Sequence, residues 1–140
     1  MRRYIWLEGN DPFPPVGMTD RYGVLCLGGE LSVERLLDAY SRGIFPWYDD
    51  DQPIIWHSPD PRFVVFPDKV RMSKSMRQVL NRKEFTVTAD TAFEQVIRAC
   101  SETPRRKQDG TWITPDMIDA YIRLHDEGYA HSIEAWKDGS

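Results

Sequence analysis

One hundred and forty residues, 41% of them hydrophobic, suffice for one compact domain or a small domain joined to part of another, but not for two full ones. The net charge of −4 excludes a uniformly basic nucleic-acid binder, and no run of about 18 apolar residues is present to cross a membrane. Met1-Arg2-Arg3 leads straight into Tyr4-Ile5-Trp6-Leu7-Glu8 rather than into an apolar leader, so the chain reads as soluble and cytoplasmic. Cys26 and Cys100 stand far apart without metal spacing, which predicts buried reduced thiols, and His57, His125 and His131 form no ligand set. Neither a metal nor a cofactor is expected.

Taken in chain order, the first clear element is a helix. Ser32 offers an N-cap, Leu31 can staple onto Leu36, and Leu36, Leu37 and Tyr40 share one face until Gly43 permits a left-handed stop. From Ala39 to Arg62 the chain then packs Tyr40, Phe45, Trp47, Tyr48 and Trp56 between Pro46 and the Ser58-Pro59-Asp60-Pro61-Arg62 brace. Proline fixes its own φ and extends the residue before it, so these rings sit on stiff backbone. They serve either as core anchors or as the wall of a site for a flat ligand, where stacking is worth about 1–3 kcal/mol per base.

Phe63-Val64-Val65-Phe66-Pro67 has strand composition. The charge is unevenly spread: residues 1–61 carry five Lys/Arg against ten Asp/Glu, residues 62–83 seven against one, and residues 84–140 six against eleven, giving −5, +6 and −5. Inside the basic stretch Ser73 caps an expected helix with Met76, Val79 and Leu80 on one face and Arg71, Lys74 and Arg77 three apart on another. Such a stripe is either a solvated face or a set of phosphate contacts. Phe85-Thr86-Val87-Thr88 predicts a second strand, and Thr91-Ala-Phe-Glu94 a capping box for a helix lined by Phe93, Val96, Ile97 and Cys100. Residues 102–110 read as a polar loop containing a second basic spot, Arg105-Arg106-Lys107. Thr114-Pro115-Asp116 opens a helix carrying Met117, Tyr121 and Leu124, with Gly128 as its stop. Ala130 to Trp136 is strand-like, with His131, Ile133 and Ala135 expected to face inward, and Lys137-Asp138-Gly139-Ser140 signals a hairpin turn. The expectation is therefore a piece of a longer protein, with an open strand edge that favours self-association.

Five stretches in order carry a resemblance: Tyr22 to Ser32, Arg35-Leu-Leu-Asp-Ala-Tyr-Ser-Arg-Gly-Ile-Phe-Pro-Trp47, Ser58-Pro-Asp-Pro-Arg62, Gly110-Thr-Trp-Ile-Thr114, and Ala120 to His125 leading to His131-Ser-Ile-Glu134. Together they are similar to leucyl/phenylalanyl-tRNA–protein transferases. The resemblance implies an aminoacyltransferase that moves Leu or Phe from aminoacyl-tRNA to the N-terminal amine of proteins beginning with Arg or Lys, marking them for degradation. It implies an α+β fold, with a small N-terminal domain over 1–61 and an incomplete acetyltransferase-like (GNAT-type) mixed sheet with helices over 62–140. It also implies that Trp47 and Trp112 hold the terminal adenosine of the tRNA, supported by Tyr40, Phe45 and Tyr121. The acceptor stem would lie on Arg62, Arg71, Lys74, Arg77, Arg82 and Lys83, read by shape and phosphates. His57 stands where relatives often have a second Trp.

The resemblance places the amine-orienting groups, the glutamate of a Gly-Glu-Ser motif and an Asp-x-Gln pair, after Ser140. Within the chain Glu134 and His131 are the only titratable catalytic candidates near the last strand. The 140 residues alone are then expected to be inactive. A reading of a different kind also stands: a non-catalytic module that holds RNA 3′ ends or basic N-terminal residues.

Overall fold

The structure, a computed structural model, describes residues 4–103 and 111–138. The basic spot Arg105-Arg106-Lys107 and the last two residues of the expected hairpin turn lie outside the described residues. The fold is α+β, with four α-helices and six strands among the described residues. The strands β1 (Ile5–Leu7), β2 (Val24–Gly28), β3 (Phe45–Pro46) and β4 (Ile55–His57) form one sheet in the order β1-β2-β4-β3. The pair β1–β2 is parallel, with Leu7 opposite Gly28, and the other two pairings are antiparallel.

Gly28 is fixed by close approach. Its φ is +79°, and a Cβ there would lie 2.7 Å from the Leu7 carbonyl oxygen. That carbonyl-lined corner also receives Trp56, whose Nε1–H donates to the Gly28 carbonyl at 2.9 Å while its ring meets Phe13 edge-to-face at 4.8 Å.

Helix α1 (Val33–Ser41) begins as its sequence predicts, with Ser32 Oγ accepting from the Arg35 N–H, a cap worth about 1 kcal/mol. Leu31 and Leu36 are both buried, and Gly43 turns the chain out at φ +73°. The core joins Leu36, Ala39, Ile44 and Trp56 to Met117, Ala120 and Leu124 of α4 (Pro115–Asp126), and burial of each large side chain contributes about 1.5–3 kcal/mol. Thr114 caps α4 by accepting from the Met117 N–H, with Pro115 in its first turn as expected. Arg35 is buried at the edge of this core, donating to the Gly9 and Asp11 carbonyls and lying 4.7 Å over the Phe13 ring.

The second half of the chain differs from several expectations. Phe63 to Phe66 is not a strand: these residues are exposed extended chain running into a 3₁₀ turn at Pro67–Lys69, with no ladder partner among the described residues. Strand composition takes effect only where a neighbouring strand and a covered face exist. Helix α2 (Lys74–Arg82) is capped by Ser73 as expected, but Arg71 precedes the cap, so only Lys74 and Arg77 of the predicted basic stripe lie on the helix.

Strand β5 (Thr86–Ala89) pairs antiparallel with β6 (Ile133–Trp136) from Thr86 opposite Trp136 to Ala89 opposite Ile133. Between them α3 (Phe93–Glu102) packs on α4, with Phe93 stacked on His125 at 4.2 Å. Its capping box does not form. Ala92 occupies the cap position, Glu94 pairs instead with Arg98, and the Ala92 N–H is taken by Glu134 from across the fold. Cys100 is exposed rather than buried, because the covered part of α3 is the turn bearing Phe93, Val96 and Ile97. Cys26 is buried, which pushes its thiol up to about 11. The inward face of the last strand is the opposite of the expected one: Ser132 and Glu134 are buried, while His131, Ile133 and Ala135 face out. The reason is the hydrogen-bond demand of Glu134, whose carboxylate accepts from Ser132, Thr88, Thr91 and the Ala92 N–H.

Candidate functional site: an aromatic slot between β3 and α4

The aromatics of residues 40–56 separate into two groups. Trp56 and Tyr48 belong to the core, whereas Trp47 is 49% exposed and Phe45 half-buried. Alternation along β3 sends Pro46 inward onto the core, and the register places Phe45 opposite His57 and Pro46 opposite Trp56. From the other side the segment before α4 brings in Trp112. It is positioned by the buried Thr114, whose Oγ1 both caps α4 and lies 3.4 Å from the Tyr48 hydroxyl. Phe45, Pro46, Trp47 and Trp112 together line an apolar cavity of about 220 Å³.

Tyr40 on α1 and Tyr121 on α4 meet edge-to-face, ring centroids 6.4 Å apart, with their hydroxyls hydrogen-bonded to each other. Burial, followed by the neighbouring Tyr40 hydroxyl, pushes the Tyr121 phenol well above its ordinary range, so it stays protonated at neutral pH. His57 packs against two of the slot's rings, nearly parallel to Phe45 at 5.9 Å and tilted toward Trp47 at 6.0 Å. Burial lowers the His57 pKa, opposed by its contact with the Trp47 carbonyl at 3.1 Å.

The predicted phosphate contacts are not equivalent. Arg71, Lys74, Arg77 and Lys83 are exposed and form no ion pair among the described residues, while Arg82 lies 3.5 Å from Glu84. Arg62 is engaged locally, donating to the Gly43 carbonyl at 2.9 Å and lying 4.7 Å over the Phe45 ring. Glu134 is enclosed at the N-terminus of α3, and its four hydrogen bonds, led by those from Ser132 and Thr88, lower its pKa to about 2. His131 is outside, with Nδ1 2.8 Å from Asp90. Neither side chain lines the aromatic slot. No group of three or more His, Cys, Asp or Glu arranged to hold a metal occurs among the described residues, and no described helix is long and apolar enough to cross a membrane. Sequence reading left the contribution of His57 to the aromatic wall open, and it missed Arg35 and Pro46 as the floor of the slot. The Phe45-Pro46-Trp47 alternation, with a ring on either side of a buried proline, was the available signal for the last.

Residues 64–140 match the family model described as leucyl/phenylalanyl-tRNA protein transferase, and residues 29–60 match that of its N-terminal domain. The chain belongs to the leucyl/phenylalanyl-tRNA protein transferase family. Similar proteins carrying the transferase name include one from Myxococcus xanthus, 54% identical over 132 residues that cover 94% of this chain and 56% of the relative. Others come from Aromatoleum aromaticum, 55% identical with 96% and 57% covered, and Saccharophagus degradans, 49% identical with 99% and 58% covered. The chain thus spans a little over half the length of the transferases it matches. The aromatic slot lies in the part of the family fold that these residues build.

Proposed function

We propose that the natural protein carrying this sequence moves Leu or Phe from aminoacyl-tRNA to the N-terminal amine of proteins beginning with Arg or Lys, marking them for degradation in the cytoplasm. The described residues would hold the donor. The observation that carries this reading is the convergence of Trp47 and Trp112, from segments 65 residues apart in sequence, on one apolar slot that suits a base between two rings. Tyr40 and Tyr121 would border the ester end, and Arg71, Lys74, Arg77, Arg82 and Lys83 would meet phosphates of the acceptor stem. We place the boundary between the N-terminal and acetyltransferase-like domains near Pro61, in keeping with the change of matched family model between residues 60 and 64.

The chemistry is aminolysis of an ester. The acceptor nitrogen forms a bond to the aminoacyl carbonyl carbon, the carbon–oxygen bond to the ribose breaks, and the proton lost by the amine ends on the departing ribose oxygen. An ester is already activated, so holding the carbonyl against the amine supplies much of the acceleration. The slot does this by fixing the adenosine end. Glu134, ionised and fully engaged in hydrogen bonds, is a poor proton acceptor at neutral pH, and His131 lies outside the slot, so the group that orients the amine comes from other residues.

The test is binding of a non-hydrolysable aminoacyl-adenosine analogue to the natural protein. Trp47→Ala and Trp112→Ala should each weaken it by about 1–3 kcal/mol while circular dichroism stays unchanged. Wild-type affinity in both variants would sink the donor-slot reading.

A further inference from the structure

We propose that His57 and Arg62 are the positioning residues of the aromatic slot, setting affinity for the aminoacyl-adenosine end through Phe45 and Trp47 and not through tRNA phosphates; the proposal rests on the donor reading above. Three observations carry it. Both side chains lie against one ring, Phe45, with the His57 ring nearly parallel at 5.9 Å and the Arg62 guanidinium 4.7 Å from its centroid. Each also holds the backbone on which that ring is carried: Arg62 donates to the Gly43 carbonyl, two residues before Phe45, and His57 Nε2 faces the Trp47 carbonyl, two residues after it.

A carbonyl only accepts, so Nε2 must carry a hydrogen, and the neutral ring already satisfies this contact. Finally, β3 is only two residues long, and among the described residues its one ladder is with β4. So short an edge strand has little intrinsic rigidity. Braces at Gly43 and Trp47 supply what the ladder does not. A guanidinium spent on a carbonyl and a ring face is less free to meet a phosphate than Arg71 or Lys74, which have no such engagement among the described residues.

The experiment compares the natural protein with its Arg62→Gln, Arg62→Lys and His57→Ala variants, using a phenylalanyl-adenosine analogue and intact Phe-tRNA as ligands. Arg62→Gln and His57→Ala should weaken the analogue roughly three- to tenfold, about the value of one exposed cation–π contact or one hydrogen bond. They should weaken tRNA by the same factor and leave the salt slope for tRNA unchanged. In transfer assays the effect should fall on KM for the short donor with kcat retained, as expected when a group only positions binding surface. Arg62→Lys, which keeps the charge but loses the planar fork, should resemble Arg62→Gln. Wild-type affinity for the analogue in both variants overturns the proposal, as does a salt slope lowered by about one unit in Arg62→Gln with the analogue unaffected, the mark of a phosphate contact. A variant whose loss lies wholly in kcat together with a lowered melting temperature also overturns it. Absence of analogue binding by the wild-type protein overturns the donor reading instead, and is distinguished by the wild-type control alone.

Discussion

Glu134 shows how one side chain can be buried and still be held in its charged form. Two hydroxyl-bearing residues on the β5–α3 side, the Ser132 hydroxyl and the N–H of Ala92 surround its carboxylate, and the start of α3 adds the favourable end of a helix dipole. Its pKa therefore falls from 4.5 to about 2 in the folded chain. Between those values the unfolded chain binds a proton that the folded chain does not, so the stability from this network is complete above about 4.5 and is lost as pH falls toward 2. Thermal denaturation followed by circular dichroism should show Glu134→Gln less stable at neutral pH and with a shallower loss of stability across that window. An acid limb parallel to the wild type's would show that the carboxylate is not held as its four hydrogen bonds require. His57 has the same sign of consequence, at higher pH. Its lowered pKa keeps the ring neutral at neutral pH, and its contribution to stability declines as pH drops below the ordinary histidine range of 6.5.

At the scale of elements, α2 is the place where sequence and structure are easiest to separate by experiment. Lys74 and Arg77 lie on one side of it, exposed and unpaired with any carboxylate among the described residues. If they meet phosphates, neutralising each should lower the magnitude of the salt slope for tRNA by about one unit, with little discrimination among tRNAs and no effect on the short donor. Filter binding across a salt series measures it, and an unchanged slope would remove α2 from the tRNA surface. The caps of α1, α2 and α4 were legible from Ser32, Ser73 and Thr114, because each depends only on residues within one turn. The cap of α3 was not, because its acceptor sits 42 residues away, and the nearby Thr91 that imitates a cap is engaged by that same carboxylate. The strand expected at Phe63 to Phe66 failed for a related reason: pairing is a property of two segments, and composition describes one. The aromatic segment was legible as special but not as divided, since only the β3–β4 register decides that Trp56 turns inward while Trp47 stays half exposed.

For the molecule as a whole, the two ends of the chain are unequally covered. The first sheet and α4 enclose a continuous core, whereas Phe63, Val64, Val65, Phe66, Val70, Met72, Met76 and Leu80 are all exposed, and β6 has no second ladder partner among the described residues. Exposed apolar side chains in such number and an open strand edge each promote association. A polypeptide of these 140 residues should therefore scatter light as an oligomer at micromolar concentration, and replacing Phe63 and Val65 with Glu should return it toward the monomer. A strictly monomeric wild-type polypeptide would mean that the patch is covered in solution. The Glu134 latch also sets an order of events on the ribosome. Ala92, at the head of its helix, leaves the exit tunnel 42 residues ahead of the carboxylate that takes its N–H, an interval of about 2–8 s at usual synthesis rates of 5–20 residues per second. For most of that interval α3 is complete in sequence but lacks the acceptor at its first turn, and the second sheet can form only when the strand carrying Glu134 arrives.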